Sequence, residues 1–278
     1  MTITWLKDVF LPQLEFPATV FAIALGLELL LPASRKRSWR ALGFNLVVAL
    51  IFLYLTALIV PYFAKVLEPV RKHFSLMVPV RLPDGIAGSM LQAIVFFFVF
   101  DFFFYWWHRA QHRMHWLWVQ HKFHHQERWL NVTTVHRYHF TEEIFRVFVI
   151  LLPMAVLFDF KPVTVGWTWT IFMAWGYWIH ANLRIHLGPL GRWLSGPQFH
   201  RLHHTPEAMN HNFAAFFPLW DRLFGTFRYP ERGVFPEITG VRNATDGNTL
   251  REAVVYPFVE WAKAIRRLVA VRPQAARH

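Results

Sequence analysis

The sequence predicts an all-α integral membrane protein of about four to five transmembrane helices, with a polyhistidine dimetal site gathered on one membrane face. Three observations carry this reading. Of the 278 residues 55% are hydrophobic and only 17% charged, against roughly 25% charged in soluble domains. The apolar residues fall into long blocks. The word HxxHH occurs twice, as His121-Lys122-Phe123-His124-His125 and His200-Arg201-Leu202-His203-His204, and His108-Arg109-Ala110-Gln111-His112 closes the most aromatic run in the chain.

A bilayer core of about 30 Å needs about 20 apolar residues at ~1.5 Å each, and residues 16–31, 41–63 and 86–107 approach that length. The stretch 1–31 lacks the basic start and small-residue cleavage site of a secretory signal, so it reads as a retained anchor. Two shorter runs, 144–158 and 163–179, flank Asp159-Phe160-Lys161-Pro162, where proline blocks helix continuation; together they read as a transmembrane hairpin. Arg35, Lys36, Arg37 and Arg40 place the first connection in the cytoplasm by the positive-inside rule. The third span then delivers His108, and the hairpin His180, to that same side. The segment 64–85 argues against this orientation, because Lys65, Arg71, Lys72 and Arg81 outnumber Glu68 and Asp84 on the outer side. Beyond about residue 225 the chain turns polar. Residues 249–271, with Leu250, Val254, Phe258, Trp261, Ile265 and Leu268 at near-helical spacing, predict a basic amphipathic helix on the membrane surface or packed on the cytoplasmic layer.

Basic residues exceed acidic ones by 29 − 17 = 12. They flank the spans instead of lining an aromatic surface, so they set topology and do not bind nucleic acid. The absence of cysteine excludes disulfides, thiolate zinc sites, Cys-ligated iron–sulfur clusters and a Cys nucleophile. Electrons for any redox chemistry come from a separate carrier.

Residues three and four apart share a helix face, so each HxxHH presents three imidazoles together and HxxxH two more. His108, His112, His121, His124, His125, His200, His203 and His204, with His180 at the end of the hairpin, make nine candidate ligands. One metal takes about four to six, so nine imply two. Imidazole suits zinc, copper, iron and nickel alike. His139, His186 and Asp221 are candidates to support the ligands, Asp221 serving equally well as a helix cap or ion-pair partner; His211 is a weaker candidate, and His115 and His136 read as structural. Asp101, Glu142, Glu143 and Asn182 are further polar groups able to orient imidazoles. The run Phe96 to Trp107 reads as interhelical packing or as the lining of an apolar channel.

These motifs, with Asn131-Val132-Thr133-Thr134, Arg137-Tyr138-His139, Trp178-Ile179-His180-Ala181-Asn182, Leu187-Gly188-Pro189-Leu190 and the segment Trp220 to Phe227, resemble the fatty acid hydroxylase/sterol desaturase superfamily of membrane di-iron enzymes. The likeness spans about residues 92–229. It departs at Phe140, where many relatives have proline, and in the extra imidazoles of His186 and His211. The resemblance implies transmembrane helices (residues 1–85), a catalytic domain (86–229) and a C-terminal amphipathic segment (230–278). It also implies a cytosolic helical cap holding two iron ions on the nine histidines. The implied activity is O2-dependent hydroxylation or desaturation of a lipid, such as a fatty acyl chain or sterol-like lipid, with electrons from a cytochrome b5-like or ferredoxin/reductase partner. The alternatives are a histidine-rich metal-binding or transport protein, a bis-histidine haem protein, and a non-catalytic member of the same fold. A carrier would want its ligands at mid-membrane, and haem takes only two.

Overall fold

The computed structural model describes residues 3–73, 85–158 and 162–271. Among these the regular structure is helical, apart from one isolated bridge between Pro32 and Leu183. Helix α1 (residues 3–30) includes a π-helical turn at Leu6–Phe10 and stops before Pro32, which disfavours helical geometry at Leu31. The expected anchor at 16–31 is therefore the second half of a longer helix. Gln13, Glu15 and Pro17 interrupt the apolar reading, yet the helix passes through them.

Helix α2 (Trp39–His73) starts where the Ser38 hydroxyl accepts from the Ala41 amide at 3.2 Å. It runs through Pro61 and Pro69, ten residues past the expected end at 63, with an exposed Lys72–Glu68 pair on its last turns. The remainder of the basic segment expected on the outer side, 74–84 with Arg81 and Asp84, lies outside the described residues, as do Asp159, Phe160 and Lys161 of the expected hairpin turn.

Helix α3 (Ile86–Arg113) breaks at Met114, which is extended (φ −101°, ψ 117°), and the chain re-enters helix as α4 (His115–His125). Then follow a 3₁₀ turn (Val132–His136), α5 (residues 141–157, with a π-helical turn at Val147–Leu151), α6 (Pro162–His180), α7 (Pro197–His203), α8 (Leu219–Leu223) and α9 (residues 251–271). Among the described residues three helices are long and apolar enough to cross a membrane, over Leu6–Leu30, Trp39–Phe63 and Ile86–Arg113.

The aromatic run of α3 is packing material. Phe96, Phe100 and Trp107 interlock with Ile150 and Met154 of α5, Phe172 of α6 and Phe216, the Phe100 and Phe172 rings being 4.5 Å apart. In lipid there is no hydrophobic drive between helices, so this close ring packing carries the cohesion. Polar ties join the spans to the histidine-bearing layer. Glu28 of α1 accepts from the amides of Val132 and Asn182, both at 2.8 Å. Asn182 in turn accepts from Arg201 at 3.0 Å.

Candidate metal centre

Four elements present the nine candidate ligands. His108 and His112 lie one turn apart at the end of α3, His121, His124 and His125 on α4, and His180 ends α6; His200 and His203 stand on α7, with His204 capping it. Eight of the nine are drawn into two groups whose nitrogens all lie within 4.8 Å of one another: His108, His112, His125 and His203, then His124, His180, His200 and His204. Each HxxHH word is thereby split between the groups. Adjacent residues point about 100° apart around a helix, so His124 and His125 diverge toward different groups, as do His203 and His204. The seam between the groups is tight, the rings of His125 and His204 stacking at 4.3 Å.

Backbone carbonyls fix the tautomers. His108 Nδ1 lies 2.8 Å from the Phe213 carbonyl, His203 Nδ1 2.7 Å from that of His211 and His180 Nδ1 2.7 Å from that of Gly176. A carbonyl only accepts, so each ring donates from Nδ1 and keeps a lone pair on Nε2. Yet His108 Nε2 and His203 Nε2 face each other at 3.1 Å, an arrangement in which neither has a proton to give. In the second group His200 Nε2 approaches His180 Nε2 at 2.9 Å and His204 Nε2 at 3.1 Å. Protonation is no remedy, because burial drives His124, His125, His200, His203 and His204 well below the ordinary imidazole value.

A cation resolves the conflict. Nitrogens about 2.0–2.1 Å from a shared ion, at angles from square to tetrahedral, sit roughly 2.8–3.4 Å apart. Further buried ring nitrogens have no partner at all, among them His112 Nε2 and both nitrogens of His125. The donor set fits two metal ions.

His121 belongs to neither group but touches both, its ring being 5.0–5.2 Å from those of His108, His112, His124 and His125. Its Nδ1 bonds Glu142 at 3.1 Å, and its Nε2 is buried and unpaired. Glu142 also accepts from Gln111 at 2.5 Å. Burial pushes Glu142 up to about 8 and His121 down to about 3, so the pair is neutral until a cation is near.

Two aspartates hold the loop that orients His108. Asp221 accepts from the amides of Phe213 (2.7 Å) and Ala214 (3.0 Å) and from the Thr226 hydroxyl (2.7 Å). Asp101 accepts from the amides of Ala215, Phe216 and Phe217 at 2.7–3.0 Å. The Phe213 carbonyl is thus fixed where His108 needs it. Burial pushes Asp221 up to about 6.

The other candidates lie elsewhere. His139 has both nitrogens engaged, by the Thr141 hydroxyl at 2.5 Å and the Val254 carbonyl at 3.1 Å, which moors the π-helical start of α9. His186 bonds Gln198 at 2.6 Å beside a surface cleft. His211 contributes its carbonyl, and His136 pairs with the Tyr177 hydroxyl at 2.6 Å. Glu143 pairs with Arg146. Sequence reasoning gave no role to Gln111, Arg137, Arg201 or Glu28. Gln111 carries a signal, sitting inside HxxxH; the polar residue Glu28 within an apolar helix is another.

Residues 93–226 match the fatty acid hydroxylase family. The likeness to that family covers a little under half of the chain. The chain is 36% identical over 134 residues to an alkylglycerol monooxygenase of Xenopus tropicalis, covering 48% of this chain and 29% of the relative. An ornithine lipid hydroxylase of Rhizobium tropici is 29% identical over 171 residues (61% and 50%), and a Delta(7)-sterol 5(6)-desaturase of Eremothecium gossypii 30% over 186 (66% and 50%). The chain therefore spans half or less of the length of these relatives. No solved structure shows a significant match. The matched region contains all nine candidate ligands, Asp101 and Asp221.

Proposed function

We propose that the protein is a membrane-bound di-iron oxidoreductase that uses O2 and electrons from a separate carrier to hydroxylate, or desaturate, a C–H bond of a lipid. The observation that carries this reading is the pair of adjoining four-histidine groups, with Nε2 lone pairs turned inward and Nδ1 protons given to carbonyls. The relatives' names, a lipid monooxygenase, a lipid hydroxylase and a sterol desaturase, supply the substrate class.

Two irons in these groups would supply the oxidation that neither the side chains nor O2 alone performs, O2, two electrons and two protons converting a C–H bond to C–OH with release of water. The chain's own residues do the rest. His108, His112, His125 and His203 would hold one ion and His124, His180, His200 and His204 the other, with His121 as the ninth ligand against both. The carbonyls of Phe213, His211 and Gly176 keep three rings in the ligating tautomer before any metal arrives. Glu142, bonded to His121 Nδ1, is placed to ionise when a cation lowers its proton affinity and so to strengthen that ligand. Burial of seven of the eight grouped histidines excludes water from the reacting centre.

In the membrane, residues 144–158 and 163–179, the bulk of α5 and α6, form a hairpin beside the three long helices, giving about five spans. The basic cluster Arg35–Arg40 faces the cytoplasm. The histidine layer, residues 115–140 and 180–249, is then a cytosolic cap, and the substrate chain rises into it from the lipid.

Metal analysis and turnover test this. The purified protein should carry about two irons per chain, one for each four-histidine group. His124→Ala should abolish O2-dependent lipid oxidation, whereas His186→Ala should retain it. Stoichiometric zinc, with no lipid oxidised after iron loading, would overturn the proposal.

A further inference from the structure

Seven of the eight grouped histidines are fully buried; His112 alone is half-buried. Its ring lies 5.2 Å from that of Trp118, which is itself half-buried and also sits 5.7 Å from the His125 ring of the same group. Trp118 thus reaches from the surface to two ligands of one ion. The protein around this edge is basic. Arg113 follows His112 directly and is exposed, Arg228 is exposed, and the positive charges of both act on the half-buried His211. Of the carboxylates near this edge, Glu207 is tied up by Arg242 at 3.0 Å and Glu260, near His115, by Lys263 at 2.8 Å. Met114 (54% exposed) and Trp116 (39%) add apolar contact area next to the charges. Tyr138, stacked on His124 at 4.5 Å, lies 5.9 Å from Phe52 of α2 and so faces the membrane helices.

We propose that the His112–Trp118 edge is the docking port for an acidic one-electron carrier, with Arg113 and Arg228 steering it and Trp118 positioned as the bridge to the metal pair. This rests on the oxidoreductase reading above. Each encounter oxidises the carrier by one electron and reduces the metal pair by one, so two encounters serve one turnover. Electron tunnelling falls off steeply with distance, and Trp118 brings the surface of the protein into contact with two ligands at once. An acidic partner is required because like charge would be repelled from this edge, whereas opposite charge raises encounter rates by about 10- to 1000-fold at low salt.

The probes are two acidic carriers, the soluble haem domain of a cytochrome b5 and a [2Fe–2S] ferredoxin. On the metal-free protein, binding of at least one should weaken with salt and should weaken about tenfold further in Arg113→Glu/Arg228→Glu, with Arg192→Glu/Arg232→Glu, in the cleft beside His186, as a control of equal charge change. On the iron-loaded protein, stopped-flow reduction by the bound carrier should slow several-fold in Trp118→Leu, with Trp118→Phe largely restoring it. The slowing should persist at saturating carrier, as a loss in the maximal reduction rate, and should exceed any change in reduction by dithionite, which a merely structural role would not produce. Carrier binding indifferent to the double reversal, or equal reduction rates in Trp118→Leu and wild type, would overturn the port while leaving the function intact. A wild-type protein that binds no iron would sink both.

Discussion

Arg137 is wholly buried and every arm of it is used. Nε donates to the Phe123 carbonyl at 2.8 Å, Nη1 to Asn45 at 2.7 Å and Asn248 at 2.8 Å, and Nη2 to the Asp246 carbonyl at 2.5 Å; Glu127 stands 3.6 Å away. One guanidinium therefore binds α2, the histidine-bearing helix α4 and the 246–248 loop. Gly247 lies against it with φ +65°, and a Cβ there would come within 2.6 Å of Arg137 Nη2 and 3.0 Å of Gln126 Oε1. Gly247→Ala must displace the guanidinium or strain the backbone, and should cost roughly 1–3 kcal/mol. Arg137→Met strands several buried acceptors and should cost roughly 3–5 kcal/mol. Thermal unfolding in detergent measures both, and a Gly247→Ala protein as stable as wild type would contradict the packing described. Gly247 was not legible in the sequence, and Arg137 stood out there only as part of the Arg137-Tyr138-His139 element, without its role. A ligand histidine announces itself by chemistry and spacing, whereas Arg137 acquires its meaning only from partners about 90 and 110 positions away.

At the scale of elements, the loop 213–217 does for the first histidine group what no helix does. Six donors, five of them backbone amides, converge on Asp101 and Asp221, and the carbonyl thus fixed holds His108. Asp221→Asn exchanges one accepting oxygen for a donor that faces the Ala214 amide, so the loop must loosen at Phe213. The expected result is a loss of roughly 10- to 100-fold in iron affinity at the first group alone. Chelator competition should then resolve two unequal sites, and two irons held at unchanged affinity would exclude this role. The apolar blocks foretold the long helices, because bilayer length and helical rise leave little choice. The break at Met114, the extension of α2 to His73 and the division of each HxxHH between two groups were not foreseen. The first two depend on tertiary packing, and the third on how α4 and α7 lie against each other. The basic amphipathic pattern of 249–271 did foretell α9. Its Trp261 indole bonds the Trp116 carbonyl at 2.8 Å, so its inner face rests on α4.

For the whole molecule, the histidine layer is a concentration of neutral imidazoles that must stay neutral for the fold to hold. Burial lowers His121 to about 3, and His124, His125, His200, His203 and His204 well below the ordinary 6.5. Below pH 6.5 the unfolded chain binds protons at these positions that the folded chain refuses, so stability present at neutral pH is lost as the pH falls through 6.5. Glu142 and Asp221 act in the opposite sense. Held up at about 8 and about 6, they stay protonated in the fold while their unfolded counterparts, at 4.5 and 3.8, ionise, so their contribution weakens as the pH rises. Six imidazoles outweigh two carboxyls, and the metal-free protein should unfold at progressively lower temperature as the pH is lowered from about 6.5 toward 5. Iron held as proposed would add stability by mass action to the folded state alone, and protons would compete for the same nitrogens. The gap in unfolding temperature between iron-loaded and metal-free protein should therefore be widest near neutrality and close on acidification. Tryptophan fluorescence melts of both forms across that range test the argument, and an unfolding temperature of the metal-free protein that is flat or rises as acid is added would refute it.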